Sequence, residues 1–497
     1  MRVLVTGGTG VIGEGLIPEL LSRGHEVRLL TRGAGDAVRE WPRGVEPFSA
    51  DLTQPEQLTG AADNCDCIIH ISGIVDESPP DVTYEKVNVG GTRHLLAEAG
   101  RAGDPKFVFI SSLGADRGLS DYHVSKRAAE ALVEKYGGPW VIIRSGNVYG
   151  PGDDVISKLL SMLRTLPAVP VIGDGKHEFQ PVWHADLGKA IARAVEGDIA
   201  TGVYEVSGSD KTSADDLLNR LEQITDRHPI RIPVPEFLAN IGLQVAAAAG
   251  VSLPINESQL LMLLDHNIIQ PSNENALTTV FEVTPTSLDD GLKMLADAQP
   301  EQLPQAGVGG LEKKRFWADI TGSRYSPEAL MEQFCRRVTE IMPIEFAAEP
   351  GAACEVAKGV TMTAAVPMRG NIQIRVEELM PRRVTFATLR GHPLAGVVRF
   401  SADEPDAATV RFAVSVFARA ATVFDWVALS TVGGAAQDSN WNAVVERMVE
   451  ISGGTSPGVK KQTDVASKEE GAEIERWVGE VVADRKREER DDARGGS

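Results

Sequence analysis

The sequence predicts an α/β fold with a doubly wound parallel sheet, followed by a second domain of α+β type. The chain opens with a short apolar run, Arg2 to Val5, that leads straight into a glycine-rich stretch, and Ile12, Leu16 and Leu20 then recur at helical spacing. Further strand-like runs alternate with helical patterns, which is typical of a parallel sheet with crossover helices. These runs lie at 27–31, 67–72, 107–111 and 141–144.

The glycine-rich stretch reads T-G-G-T-G-V-I-G from residue 6 to residue 13. Gly7 permits a tight turn, Gly10 lets the backbone approach phosphates, and Gly13 lets the helix pack on the strand. The free N–H groups of the helix N-terminus attract an anion. We therefore expect a Rossmann-type site for a dinucleotide, rather than a purely structural turn, with the remaining contacts made by Thr9, Val11 and Ile12.

Composition excludes several classes of function. The 497 residues carry a formal net charge of -20, so a non-specific nucleic-acid surface is not expected. The four cysteines form neither a disulfide framework nor a zinc pattern, and no metal site is predicted. No apolar run is long enough to span a bilayer, and the stretch 241–251 is interpreted as a packed helix. We expect a cytoplasmic protein.

The pattern along the chain predicts four parts. Residues 1–298 form the nucleotide-binding domain, with a proline-punctuated substrate lobe mostly at 200–298. Residues 299–315 are interpreted as a linker because prolines and glycines cluster there. A helix at 327–341, alternating stretches between 371 and 418 and a closing helix at 440–452 place an α+β domain at 316–454. Residues 455–497, rich in mixed charge, are predicted to be a disordered tail with one frayed helix near 473–482.

Two side chains with catalytic potential lie four residues apart, Tyr122 and Lys126, hence on one face of a helix. An adjacent cation favours a phenolate, so Lys126 is expected to lower the pKa of Tyr122 from its usual value of about 10. Such a pair can move the proton of a hydroxyl group. The pair follows a strand that ends in Ser111 and Ser112, at the edge of the sheet where ligands of open α/β folds bind.

Over about residues 1–297 the chain resembles the extended and atypical short-chain dehydrogenase/reductase superfamily. The resemblance rests on the glycine turn, the serine pair, the Tyr/Lys pair and five further stretches: Asp51-Leu52, His70-Ile-Ser-Gly73, Val87-Asn-Val-Gly-Gly-Thr92, Asn147-Val-Tyr-Gly-Pro-Gly152 and Gln180-Pro-Val-Trp-His-Ala-Asp-Leu187. The stretches 110–115, 180–182 and 281–287 are most similar to the subgroup related to the NADPH-binding accessory subunit of respiratory complex I. That subgroup includes proteins that hold the nucleotide without evident turnover.

The resemblance assigns roles to individual residues. It implies that Ser112 orients the substrate, that Tyr122 is the acid/base, and that Lys126 binds the nicotinamide ribose. The other nucleotide-binding residues that it implies are Asp51, Leu52, Ser72, Gly73, Asn88, Asn147 and Val148. His70 and His184 are interpreted as buried, satisfied histidines, and Asp186 as a helix-start carboxylate.

Cofactor preference is predicted from the end of the second strand. An NAD site usually places an acidic side chain there, whereas this chain has Thr31-Arg32-Gly33. Arg32 suits a ribose 2′-phosphate, which predicts NADP(H); the nearby Asp36 keeps NAD as the alternative cofactor.

The C-terminal region, 316–454, resembles a START-type or polyketide-cyclase-like helix-grip domain through the stretch 386–393 and the order of its strands and closing helix. The resemblance implies an apolar cavity for a ligand. The same apolar strand faces suit a plain packed core, so a ligand-binding role and a scaffold role both remain open.

Together these observations predict an NADP(H)-dependent oxidoreductase, or an epimerase/dehydratase-type enzyme, that transfers a hydride to or from a hydroxyl or carbonyl group of a small or moderately apolar substrate. The alternative from another class is a non-catalytic NADPH-binding scaffold or redox-sensing assembly factor, with a lipid- or partner-binding C-terminal domain.

Overall fold

The computed structural model of the chain describes residues 1–41, 43–118, 120–235, 267–346, 348–366, 369–428 and 434–495. The apolar stretch 241–251, interpreted above as a packed helix, lies outside the described residues. Within them, no helix combines the length and the hydropathy that crossing a bilayer requires.

The N-terminal domain contains a seven-stranded sheet in the order β10-β6-β5-β4-β1-β2-β3, with every neighbouring pair parallel. Chain order reverses between β1 and β4, which creates a crevice at the carboxyl ends of these strands. The strands are β1 (Arg2–Thr6), β2 (Glu26–Thr31), β3 (Val45–Ser49), β4 (Cys67–His70), β5 (Lys106–Ser112), β6 (Trp140–Ser145) and β10 (Gly202–Val206).

Helices cover both faces of this sheet because its central strands are buried on both sides. The helices are α1 (Val11–Ser22), the short α2 (Ala34–Ala37), α3 (Gly91–Arg101), α4 (Asp121–Val133) and α6 (His184–Glu196). Shorter turns lie at Val38–Glu40, Pro55–Leu58 and Glu85–Gly90. The prediction of a doubly wound parallel sheet is confirmed.

The substrate lobe packs beside the carboxyl edge of the sheet around a separate apolar cluster that includes Leu160, Leu163 and Leu292. It pairs β7 with β9 and β8 with β11, both in parallel. Its elements are β7 (Val148–Tyr149), α5 (Ile156–Thr165), β8 (Ala168–Ile172), β9 (Val182–Trp183), α7 (Ala214–Thr225), β11 (Ile230–Val234), α8 (Ala276–Thr279) and α9 (Leu288–Asp297). The lobe was predicted to occupy mostly 200–298, yet β10 in that range is the edge strand of the main sheet.

The C-terminal domain is an eight-stranded antiparallel sheet in the order β13-β14-β15-β16-β17-β18-β12-β19. Its strands are β12 (Val308–Thr321), β13 (Glu345–Phe346), β14 (Thr361–Val366), β15 (Gly370–Met380), β16 (Arg383–Thr388), β17 (Leu394–Asp406), β18 (Thr409–Ala420) and β19 (Lys460–Val465). The helices are α10 (Pro327–Arg336), α11 (Val338–Ile341), α12 (Val423–Ala428), α13 (Gly434–Ser452) and α14 (Lys468–Gly495).

One face of this antiparallel sheet packs on α10 and α13 through large aromatic side chains. The rings of Phe334 and Phe400 stack with centroids 4.4 Å apart, and Phe386 meets Phe400 edge-on at 5.7 Å. All three side chains are buried. The space between helix and sheet is therefore filled by aromatic packing at this point.

Two predictions for the chain after residue 298 are wrong. The expected linker 299–315 is packed: Glu301 is buried, a 3₁₀ turn spans Pro304–Ala306, and β12 begins at Val308. The expected disordered tail forms β19, which pairs with β12, and then the long helix α14. Charge-rich sequence predicts disorder when it has no partners, whereas the charges of α14 pair with residues far away in the sequence.

Candidate functional site

The glycine turn lies at the crevice between β1 and β4. Gly7 has a φ of 73°, and a Cβ there would lie 2.7 Å from the backbone nitrogen of Ser72, so only glycine fits. Gly10 is the N-cap of α1 and supplies no side-chain cap. The first backbone N–H groups of α1 are consequently available to an anion in the crevice.

An open cleft of about 1150 Å³ runs along the carboxyl edge of the sheet from the glycine turn to the substrate lobe. Fifteen of the sequence-predicted site residues line it: Gly7, Thr9, Gly10, Val11, Ile12, Arg32, Asp51, Leu52, Ser72, Gly73, Ser112, Tyr122, Lys126, Asn147 and Val148. Residues from six strand ends and two helices thus meet in one cleft, as expected for this topology.

Two predicted nucleotide-binding residues do not line the cleft. Gly13 faces Gly8, whose backbone leaves no room for a Cβ, so its role is packing of α1 on the turn. Asn88 lies beneath the cleft, where its side chain accepts a hydrogen bond from Ile74 N at 2.8 Å and donates to Ile74 O at 3.1 Å and to Ser125 Oγ at 3.0 Å. Asn88 therefore fixes the loop after β4 and links it to α4.

Ser112 and Tyr122 form the polar pair of the cleft. Ser112 ends β5, and Tyr122 lies in the first turn of α4, which Ser120 caps by accepting from the backbone N–H of His123. Burial raises the pKa of Tyr122 to about 12, while a hydrogen bond with Ser112 opposes that rise. The phenol is thus protonated at neutral pH and faces the cleft beside a hydroxyl group.

Lys126 does not have the predicted effect on its neighbour. Its ammonium donates to the carbonyl oxygen of Ile110 at 2.8 Å and lies 4.9 Å from the ring centre of Phe109. Burial lowers the pKa of Lys126 to about 8, against the opposing influence of Glu130. The expected lowering of the Tyr122 pKa is therefore not observed, because the cation is directed at the backbone of β5.

His70 is a satisfied core histidine, as predicted. Its Nδ1 lies 2.8 Å from Thr6 Oγ1 and its Nε2 lies 3.0 Å from Thr92 Oγ1. Burial lowers its pKa to about 3, so the ring is neutral. This buried contact ties β1 to β4 and α3 below the cleft.

His184 and Asp186 are also structural. His184 is buried, which lowers its pKa to about 4, and a backbone hydrogen bond with Val11 acts in the opposite direction. Its Nδ1 has no hydrogen-bond partner among the described residues, so the prediction of a satisfied histidine is wrong for that atom. Asp186 is buried in the first turn of α6 and accepts from the backbone nitrogen of Thr286 at 2.6 Å. The interpretation of Asp186 as a helix-start carboxylate agrees with this position.

The residues around the end of β2 differ in charge and in partners. Arg32 is exposed on the rim of the cleft, and within the described part of the chain no hydrogen bond or ion pair holds its guanidinium. Asp36 has its own partner, Arg39, at 3.5 Å. The other lining cations are each engaged: Lys86 donates to Pro80 O at 2.6 Å, and Arg93 lies 3.6 Å from Glu85.

Two buried polar atoms of the cleft wall have no hydrogen-bond partner among the described residues, Ser111 Oγ and Asn147 Nδ2. Orphaned buried donors cost free energy unless a ligand satisfies them. With the uncapped α1 and the unpaired Arg32, they provide the donor set that a phosphate-rich dinucleotide needs. The residues present therefore fit such a cofactor.

Asn267 is a cleft residue that the sequence did not reveal. Its Nδ2 donates to Asn147 Oδ1 at 2.5 Å, and its backbone oxygen accepts from Gln180 N at 3.0 Å. It lies 120 residues from Asn147 along the chain and outside any motif, so no local pattern could have identified it.

Comparison with known proteins agrees with this architecture. Residues 3–207 match the NAD dependent epimerase/dehydratase family. The N-terminal domain is similar to this family over that range. The match ends before the C-terminal sheet, so it does not describe the second domain.

Individual relatives cover only part of the chain. A ceramide reductase of Caulobacter vibrioides is 34% identical over 173 residues, which are 34% of this chain and 53% of that protein. The chain thus spans about half the length of this relative. The photosystem II assembly factor Ycf39 of Synechocystis is 28% identical over 254 residues, covering 47% of this chain and 71% of that protein. The solved structure of the UDP-glucose 4-epimerase of Thermotoga maritima is 20% identical in sequence and superposes with a TM-score of 0.47. The match covers 60% of this chain and 97% of the epimerase chain.

Proposed function

We propose that the protein is an NADP(H)-dependent oxidoreductase of the short-chain dehydrogenase/reductase type, which acts on a carbonyl or hydroxyl group with Tyr122 as acid/base. The observation that carries the proposal is the juxtaposition of the Ser112 and Tyr122 side chains in the same cleft as the glycine turn. A nucleotide site and a proton donor in one cleft are what hydride transfer to a carbonyl requires.

The cofactor would be held by residues of this chain in three places. The N-terminus of α1 would bind the pyrophosphate, Asp51 and Leu52 would contact the adenosine, and Asn147 would contact the nicotinamide end. When bound, NADPH supplies a hydride to the carbonyl carbon and leaves as NADP⁺, which accounts for both electrons.

Tyr122 would supply the proton for the reaction. Because burial keeps the pKa of its phenol near 12, the residue is protonated at physiological pH and can donate to the carbonyl oxygen. The Ser112 hydroxyl would donate a second hydrogen bond to that oxygen and stabilise the charge that develops there. The resulting phenolate would recover its proton from solvent. This protonation state favours carbonyl reduction over alcohol oxidation.

NADP(H) is the cofactor that the rim of the cleft favours. Among the described residues no partner holds the guanidinium of Arg32, whereas Asp36, the acidic residue closest to it in the sequence, is paired with Arg39. A free planar cation suits a 2′-phosphate, and an engaged carboxylate is a poor ligand for a 2′-hydroxyl.

For the substrate we propose a carbonyl group on an apolar molecule. The similarity to a ceramide reductase, which matches this chain over part of its length, supports that class. So do the apolar residues that line the lobe side of the cleft, among them Val148, Val155 and Phe179.

The decisive experiment measures NADPH oxidation by the full chain against a panel of carbonyl compounds. Tyr122→Phe should lower kcat by at least about 100-fold, the usual range for losing a general acid, with NADPH affinity by calorimetry unchanged. Tyr84→Phe is the matched control, because its ring lies 6.2 Å from that of Tyr122 while its own hydroxyl donates to Val75 O. Equal activity of Tyr122→Phe and wild type would contradict the assignment.

A second candidate is a nucleotide-binding scaffold. It is favoured by the similarity to an assembly factor and by the resemblance to the complex I subgroup. It is also favoured by the direction of the Lys126 ammonium, which donates to Ile110 O. On this candidate the C-terminal domain, which we propose to be of the helix-grip type, would contact a partner. NADPH binding without turnover on any carbonyl would favour the scaffold.

A further inference from the structure

Helix α14 returns from the C-terminal domain to the nucleotide-binding domain. Three of its cations, Lys486, Arg490 and Arg494, follow one another at four-residue spacing and so share one face. Lys486 lies 3.2 Å from the Glu40 carboxylate, and Arg494 donates to the carbonyl oxygen of Arg43 at 2.8 Å. All three therefore contact one domain across more than four hundred residues of sequence.

Arg490 makes the largest set of these contacts. Its guanidinium donates to Glu14 Oε2 at 2.6 Å and to the carbonyl oxygen of Glu40 at 2.5 Å. It also stacks over the Trp41 ring, with 3.6 Å between the guanidinium carbon and the ring centre. The Arg490 side chain is only 15% exposed, so this is a partly desolvated contact.

The groups that Arg490 contacts border the proposed dinucleotide site. Glu14 lies in the first turn of α1, directly after the glycine turn. Glu40 and Trp41 belong to the segment that follows Arg32 and precedes β3. The Trp41 ring is buried in the core formed with β1, β2 and α1.

The other side of α14 is anchored in the C-terminal domain. Arg485, whose side chain is 4% exposed, donates to Glu377 Oε2 and to Glu301 Oε1, both at 2.7 Å. The two carboxylates are also buried. A buried ion cluster of this kind fixes geometry strongly, because separating its members leaves charges uncompensated. The ion cluster therefore fixes α14, and with it Arg490, relative to the C-terminal domain.

We propose that Arg490 is a positioning residue for the dinucleotide site, acting through Glu14 and through the segment that carries Arg32. This inference rests on the proposed function. The N-terminus of α1 favours an anion, but the Glu14 carboxylate in its first turn repels one. Pairing with Arg490 offsets that charge, and the contacts with Glu40 and Trp41 hold the segment after Arg32 in place.

The test compares the dissociation constants of NADPH and NADH for the full chain, measured by calorimetry. Arg490→Gln should weaken NADPH binding about five-fold, the scale of one partly screened charge near the phosphates. NADH should lose less, because it carries one phosphate fewer. Arg487→Gln is the matched control: Arg487 pairs with Asp484 of its own helix, and this variant should bind as the wild type does.

A second substitution separates the charge effect from a structural one. Adding Glu14→Gln to Arg490→Gln removes the uncompensated carboxylate and should restore most of the lost NADPH affinity. A residue that merely stabilised the fold would not be rescued by removing its partner. Absence of rescue, or NADPH binding by Arg490→Gln equal to that of Arg487→Gln, overturns the inference.

A measurement on the unmodified chain tests the inference without relying on the folding of any variant. Saturating NADPH should slow backbone hydrogen exchange in residues 486–494, because coupling between two sites is reciprocal. Unchanged exchange there, in a chain that binds NADPH, overturns the inference and leaves the proposed function intact. A wild-type chain that binds neither NADPH nor NADH overturns both.

Discussion

The ammonium of Lys126 donates a hydrogen bond to the carbonyl oxygen of Ile110 over 2.8 Å, in the wall of the cleft. This contact anchors α4 to β5 and places a buried cation next to Gly73, whose Cβ, if present, would lie 3.3 Å from the ammonium nitrogen. The position of the lysine has consequences for stability as well as for chemistry.

Replacing Lys126 by Met should stabilise the folded chain at neutral pH. Burial lowers the lysine pKa from 10.5 to about 8, so below pH 8 both folded and unfolded chains carry the charge and the folded one bears its full cost, about 3 kcal/mol. Between pH 8 and 10.5 only the unfolded chain keeps the proton, and the advantage of Lys126→Met should shrink to nothing. Urea unfolding across this range measures it; a difference that is constant with pH would contradict the burial of the charge.

Arg32→Ala should reduce NADPH affinity by about ten- to a hundred-fold, the scale of one or two charge-assisted hydrogen bonds to phosphate. NADH affinity should remain unchanged, because NADH lacks the 2′-phosphate. Calorimetry with both nucleotides provides the measurement. Arg336→Ala, which removes an exposed cation of the C-terminal domain that is paired with Glu332, is the control and should affect neither. An equal loss for both nucleotides would favour NAD as the cofactor.

Asn88→Ala should destabilise the folded chain by about 1–3 kcal/mol, because three hydrogen bonds to Ile74 and Ser125 are lost and the partly buried backbone groups of Ile74 lose their partner. The free energy of unfolding in urea reports the loss. Asn273→Ala removes an exposed asparagine whose side chain donates to Glu205 and accepts from Ser272, and it should change stability little. If the two variants were equally stable, Asn88 would not support the loop as described.

Glu377→Gln should become more favourable relative to wild type as pH rises. Burial and the neighbouring Glu301 charge raise the Glu377 pKa above 4.5 despite Arg485, and Glu377 Oε1 has no hydrogen-bond partner among the described residues. The contribution of Glu377 to the free energy of unfolding of the wild type is therefore largest below pH 4.5, where the carboxyl group is protonated in both states. It is lost as the pH rises through the pKa of the folded chain. Glutamine cannot titrate and avoids that loss.

The adjacent residue provides a control of opposite sign. Burial opposes ionisation of Glu378, but contacts with Thr385 and Arg399 prevail and lower its pKa. Stability from Glu378 is present above pH 4.5 and lost as the pH falls, so Glu378→Gln should become less favourable as pH rises. Unfolding titrations from about pH 3 to about pH 8 cover both windows, the one below 4.5 for Glu378 and the one above it for Glu377; parallel pH profiles would refute both assignments.

Local patterns in the sequence were sufficient for the parallel sheet and for most of the cleft. The glycine turn, the strand ends and the Tyr/Lys pair are each encoded within a few residues, and strand topology then brings them together. The direction of the Lys126 side chain could not be predicted this way, because four-residue spacing places it near Tyr122 but does not exclude the Ile110 carbonyl as a competing acceptor.

Pairing between residues far apart in the sequence explains the larger errors of the sequence-based predictions. The last forty residues look solvated when judged by composition, yet Arg485 and Arg490 find carboxylates 108 and 476 positions away. Likewise β10 belongs to the main sheet because it pairs with β6, which its own short sequence does not indicate. The composition of a segment indicates whether the segment can form a core by itself. It does not indicate whether the segment packs against another domain.

Because Arg490 of α14 covers Trp41 and pairs with Glu14, the first three hundred residues are not a self-sufficient piece of this protein. A version cut after residue 298 would expose an indole and leave an acidic group unneutralised beside the glycine turn. Nucleotide affinities obtained from such a fragment would understate those of the whole molecule, and its crystals would show the loop behind Arg32 without its natural cover.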